Sequence, residues 1–90
     1  MKIFPTKTYR KSLKKVLGSG RIKIKEIDSV VDMLCEEKNL PIKYRDHALG
    51  GEYLGYRECH IKPDLLLIYK IEKSALILIL KDIGSHSDIF

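Results

Sequence analysis

Two aliphatic runs decide the architecture: Leu65-Leu66-Leu67-Ile68-Tyr69-Lys70-Ile71 and Ala75-Leu76-Ile77-Leu78-Ile79-Leu80, separated by the polar Glu72-Lys73-Ser74. Runs of this length with a short polar break predict paired strands. Their hydrophobicity is continuous rather than alternating, which predicts burial on both faces. Upstream, Tyr53–Ile61 has mixed polarity and Pro63 with Asp64 marks a turn, so a third strand leads into the pair as a meander.

The first half has a different period. Met1–Pro5, apolar at Ile3 and Phe4, suits an edge strand whose end tolerates Pro5. Thr8 is a candidate N-cap, and Tyr9, Leu13, Val16 and Leu17 then draw one apolar stripe along a helix, with Lys11, Lys14 and Lys15 on the other face. Gly18 and Gly20 end it. A second helix, from near Arg21 to about Lys38, carries Ile27, Val30, Val31, Leu34 and Cys35 at the same spacing, and Pro41 stops it. The order β-α-α-β-β-β predicts an α+β domain over residues 1–90, with a helical hairpin packed on a small, mainly antiparallel sheet.

Ninety residues with 44% hydrophobic and 32% charged side chains exclude wholesale disorder and collagen-like sequence. The longest apolar runs fall far below the ~18 residues of a membrane span. The opening MKIFPTKTYRKSLKK is too basic for a secretory leader. A cytoplasmic protein without a membrane partner is expected. Cys35 and Cys59 supply no disulfide framework and no zinc-type pairing, and both are expected as buried, reduced thiols.

Charge is lopsided. Residues 1–25 hold nine Lys or Arg and no acid, whereas residues 26–90 hold eight basic and twelve acidic side chains. A basic first quarter suits a polyanion such as nucleic acid, or an acidic protein segment, although a solvated helix face would look the same.

The three histidines sit at element boundaries: His47 before a Gly pair, His60 just ahead of the Pro63-Asp64 turn, and His86 after the last strand. In a meander the end of one strand and the start of the next are adjacent, so three imidazoles and Asp64 could share one rim of the sheet. Imidazole titrates near neutrality and serves as proton acceptor or donor. With nearby cations, such a set suits RNA cleavage by the neighbouring 2′-hydroxyl, which needs a base, an acid and a positive charge at the phosphate but no metal or other cofactor. A three-histidine metal site is disfavoured, since no pair has the His-x-x-x-His helical spacing. Each histidine taken alone also reads as an isolated surface or capping residue. Tyr53, Tyr56 and Arg57 could stack on bases, or the tyrosines could simply pack.

Four ordered segments carry a resemblance: Tyr44-Arg45-Asp46-His47-Ala48-Leu49-Gly50-Gly51, Gly55-Tyr56-Arg57-Glu58-Cys59-His60-Ile61-Lys62-Pro63-Asp64, Leu66-Leu67-Ile68-Tyr69 and Gly84-Ser85-His86-Ser87-Asp88-Ile89-Phe90. Residues 44–90 closely resemble the YafQ branch of the RelE-like toxins, the toxin halves of bacterial toxin–antitoxin pairs, and residues 1–43 agree in outline. The resemblance implies a ribosome-dependent mRNA endonuclease held inactive by an antitoxin, so mRNA on the ribosome, ribosomal RNA and a cognate antitoxin are the implied partners. It implies catalysis by His47, His60, Asp64 and His86. His86 is then the likelier acid, and Phe90 helps to place the substrate base.

Two departures stand out. The family arginine four residues before the late histidine is here Asp82, with Lys81 beside it, and the tryptophan after Pro-Asp is Leu65. Neighbouring strand residues face opposite ways, so Lys81 replaces that arginine only if the strand bulges. Arg57 or Arg45 could supply the cation instead. Loss of the cation altogether would leave a weak nuclease that binds RNA or antitoxin, the alternative to an active toxin. A generic basic RNA-binding domain gives the three histidines no common purpose.

Overall fold

The computed structural model describes residues 1–90. The chain runs β1 (Lys2–Pro5), α1 (Lys7–Gly18), α2 (Ile24–Cys35), β2 (His47–Ala48), β3 (Arg57–Lys62), β4 (Leu65–Glu72), β5 (Ile77–Gly84) and α3 (His86–Ile89), with single 3-10 turns at Ile42–Tyr44 and Gly51–Tyr53. The α+β reading holds, with a helical hairpin against a mostly antiparallel sheet. The sheet order is β1-β5-β4-β3-β2. β1 lies parallel to β5, and every other pairing is antiparallel.

One face of the sheet is closed by the helices. Tyr9 from α1 and Ile27, Val30, Val31 and Leu34 from α2 pack on Cys59, Leu67, Tyr69, Leu78, Leu80 and Ile83. The i, i+3, i+4, i+7 spacing on α2 is what allows one helix to bury four aliphatics at once. Removing any of these large side chains leaves a void costing about 2–5 kcal/mol.

The opposite face carries His47, Glu58, His60, Leu66, Ile68, Lys70, Ile79 and Asp82. The register requires it: His47 opposes Glu58, Glu58 opposes Ile68, Ile68 opposes Asp82, and directly opposed residues share a face. Leu66 and Ile68 are fully buried on this side, so the start of β4 is covered on both faces as its composition predicts. β5 departs from that expectation. It alternates, burying Leu78 and Leu80 against the helices and leaving Ile77 and Ile79 half-exposed.

Element ends differ from the sequence reading. The cap of α1 is Thr6 rather than Thr8, its hydroxyl accepting the Tyr9 N–H at 3.0 Å. α2 is shorter at both ends than Arg21–Lys38. The strand expected over Tyr53–Ile61 is Arg57–Lys62, because the Gly51–Tyr53 turn and Gly55 at φ 95° bend the chain first. The last strand starts at Ile77, since Leu76 adopts a left-handed φ of 53° that no strand accommodates. It then runs on to Gly84 through a bulge: Tyr69 opposes Leu80 and Ile68 opposes Asp82, leaving Lys81 unpaired. Cys59 is buried and reduced, whereas Cys35 is only half-buried, at the last turn of α2.

Candidate active site at the open sheet face

Glu58 is the one charged residue in the buried set, 5% exposed. A buried carboxylate must be hydrogen-bonded or paired, and this one is met by two histidines. His60 Nε2 lies 3.1 Å from Glu58 Oε1 and His47 Nε2 lies 3.7 Å from the same oxygen, the two rings being 6.4 Å apart. Both pairings follow from the ladder, since Glu58 and His60 alternate on β3 and His47 opposes Glu58 from β2.

The other nitrogen of each ring faces a carbonyl. His47 Nδ1 donates to the Arg45 carbonyl at 2.7 Å, and its Nε2 faces Glu58 from beyond hydrogen-bond distance. His60 Nδ1 lies 3.3 Å from the Pro63 carbonyl while Nε2 meets Glu58. Both partners of His60 are acceptors, so the two bonds are made together only by the doubly protonated ring. Each ring thus has one nitrogen on a main-chain carbonyl and the other facing the shared carboxylate oxygen, His60 at hydrogen-bond distance and His47 farther out.

The remaining predicted residues gather at the ends of the same strands. His60 opposes Leu66 and Leu66 opposes Gly84, so His60 and Gly84, two residues before His86, are two strand spacings apart, roughly 10 Å. Asp64 Oδ1 accepts the His86 backbone N–H at 3.3 Å, tying α3 to the β3–β4 turn. Ser85 caps α3, and Asp88 returns the bond to the Ser85 N–H; these contacts hold the Asp88 carboxyl below its ordinary value. Phe90 is half-exposed, its ring 5.1 Å from His86 and edge-on to Tyr53 at 5.3 Å. The structure therefore joins His47 with His60, joins Asp64 with His86, and sets Phe90 beside His86.

Lys81 reaches this face through the bulge. Its Nζ lies 5.5 Å from the Tyr56 ring, and Lys70 Nζ approaches the same ring at 5.7 Å. The Tyr56 ring therefore carries two ammonium groups, a cation platform instead of the bare stacking surface its sequence suggests. Asp82 turns back on its own strand, Oδ1 accepting the Ile83 N–H at 2.8 Å.

Arg57 is not part of the cluster. Strand alternation sends it to the helix side, where Nε and Nη2 each donate to Asp46 at 3.3 Å; that bonding holds the guanidinium above its ordinary value. Arg45 contributes its carbonyl to His47 and has a left-handed φ of 49°. Sequence reasoning missed Glu58 and Lys70. Glu58 has a legible signal: it is a lone acid flanked by core residues, two positions before a histidine, and period-2 alternation puts those two on one face.

No three His, Cys, Asp or Glu side chains converge closely enough to hold a metal ion. No helix is long and apolar enough to cross a membrane.

Known proteins share this fold. The metal-bound toxin of Helicobacter pylori superposes with a TM-score of 0.90 at 42% identity, covering 100% of this chain and 99% of that one. YafQ in the Escherichia coli DinJ–YafQ complex gives 0.84 at 27% identity, covering 98% and 96%. The mRNA interferase toxin YafQ of Escherichia coli strain K12 is 41% identical over 51 residues, 57% of this chain and 53% of that protein. The chain spans about half the length of the curated relatives it matches. The model of the bacterial toxin of type II toxin–antitoxin systems, YafQ, matches residues 1–90, and the chain belongs to that family.

Proposed function

We propose that this protein is a toxin that cleaves mRNA on the ribosome by attack of the 2′-hydroxyl on the adjacent phosphodiester. The observation that carries the reading is the pairing of His47 and His60 on one oxygen of buried Glu58. His47 Nε2 takes the 2′-hydroxyl proton. The freed oxygen bonds to phosphorus, and the bond to the 5′-oxygen breaks. His86 supplies the proton that the leaving oxygen needs. The products are a 2′,3′-cyclic phosphate and a 5′-hydroxyl, and solvent resets the two imidazoles.

His60, held by Glu58, and Lys81 on its bulge stabilise the negative phosphoryl oxygens. Asp64 sets α3, and thereby His86 and Phe90. Phe90 with Tyr53 holds a base by stacking. Lys81 fills the role that Asp82 vacates, which favours an active enzyme over a binding-only relative. The exposed Lys7, Arg10, Lys11 and Lys14 of α1 suit ribosomal RNA phosphates, and the same charge suits an acidic antitoxin segment. A neighbour of the same fold is the toxin of a DinJ–YafQ toxin–antitoxin complex.

The test is an in vitro translation reaction with primer extension on the message. Discrete cleavages within ribosome-covered codons, abolished by His86→Ala, are expected. An uncut message at verified folded toxin would overturn the reading.

A further inference from the structure

We propose that Asp46 is a positioning residue for His47, acting from the opposite side of the sheet. His47 sits on a strand of two residues that is exposed along its length. Two opposed pairs and the Leu49 N–H to Tyr56 carbonyl bond are all the backbone pairing that holds it. So short a ladder fixes a ring orientation poorly.

The residue immediately before it is held by side chains instead. Asp46 Oδ1 accepts the Tyr69 hydroxyl and Arg57 Nε, and Oδ2 accepts Arg57 Nη2. Tyr69 is fully buried in the core, and Arg57 opposes it across the β3–β4 ladder. The Asp46 carboxylate is thereby pinned to the two central strands from the helix side. Successive residues point to opposite faces, so pinning Asp46 below the sheet aims His47 above it. The same short loop supplies the acceptor for His47, because the Arg45 carbonyl takes Nδ1–H at 2.7 Å. The peptide joining Arg45 to Asp46 thus sits between two constraints, one on each side of the sheet. Together they leave His47 Nε2 facing Glu58.

Asp46 touches neither substrate nor the reacting atoms, so its effect must pass through His47. This rests on the nuclease reading only for its kinetic arm. The full chain is compared as wild type, Asp46→Ala, His47→Ala and the double variant. Asp46→Asn keeps an oxygen for the Tyr69 hydroxyl and takes over if Asp46→Ala does not fold.

In 15N-edited imidazole spectra, wild-type His47 is expected as the single Nδ1–H tautomer when neutral, and the Asp46 variant as a mixture. Cleavage should fall about 10–100-fold in kcat with KM little changed. That loss should vanish in the His47→Ala background, where the residue it orients is gone. An unchanged His47 spectrum, or losses that multiply in the double variant, overturns the proposal. A wild type without cleavage would sink the nuclease reading while the spectra still decide the role of Asp46.

Discussion

Thr6 Oγ1 donates a 2.8 Å hydrogen bond to the carbonyl of Lys81, the unpaired residue of β5. The same hydroxyl accepts the Tyr9 N–H, and the Thr6 N–H donates to the Leu80 carbonyl at 3.0 Å. One threonine therefore caps α1 and staples the bulge that turns Lys81 toward the open face of the sheet. A bulge leaves a carbonyl without its ladder partner, and Thr6 supplies the missing donor.

Thr6→Val keeps the shape and removes both side-chain bonds. Stability should fall by about 1–2 kcal/mol, the ordinary worth of a helix cap with a second bond, read from urea unfolding. Affinity for an RNA oligonucleotide with a 2′-deoxy substitution at the cleavage site should fall in parallel with Lys81→Gln, with a shallower salt dependence. Thr6→Ser should restore both. Lost stability with unchanged affinity and salt slope would mean that Lys81 is held without Thr6.

Glu58→Gln tests the carboxylate that joins His47 and His60. A hydrogen bond to a charged group is worth about 1.5–3 kcal/mol, which corresponds to roughly 10–150-fold in rate. Primer-extension time courses should show that loss in kcat, with the circular dichroism spectrum unchanged. Wild-type rates in a folded Glu58→Gln protein would reduce the residue to a packing element.

Alkaline stability follows from buried acidic side chains, Tyr9 and Cys59 among them, with Tyr69 raised in the same direction by burial. Burial pushes the Tyr9 hydroxyl and the Cys59 thiol each up to about 12. Between the unfolded values, near 9 for thiol and 10 for phenol, and about 12, the folded chain keeps protons that the unfolded chain has released. Stability from these groups is therefore full below about pH 9 and declines as pH rises toward 12. Urea midpoints taken from pH 7 to 11 should be flat and then fall, and Tyr9→Phe should make the fall shallower. A midpoint that stays level to pH 11 would contradict the burial of both groups.

Local patterns were enough for much of the fold. The apolar stripe Tyr9, Leu13, Val16, Leu17 and its counterpart on α2 define helices by periodicity alone, because a helix buries a face only at that spacing. The runs around Ile68 and Leu78 define strands for the equivalent reason. Helix and strand ends were less legible: the sequence points to Thr8 as the α1 cap, whereas the structure uses Thr6, whose hydroxyl also bonds a β5 carbonyl.

The site divides along the same line. His47, His60, Asp64, His86 and Phe90 stand out from residue type and from resemblance to a toxin family, since imidazole and carboxylate chemistry is carried by the side chains themselves. Which of them touch, and through what, depended on strand register. A one-residue change in pairing turns a side chain to the other face, and no run of neighbouring letters records it. Register put Arg57 beneath the sheet with Asp46, set Glu58 between two histidines, and opened the bulge that frees Lys81. Sequence determined the elements and the reactive groups because those are local properties. Only the tertiary structure decided which groups meet, because pairing between strands is set by packing across the whole chain.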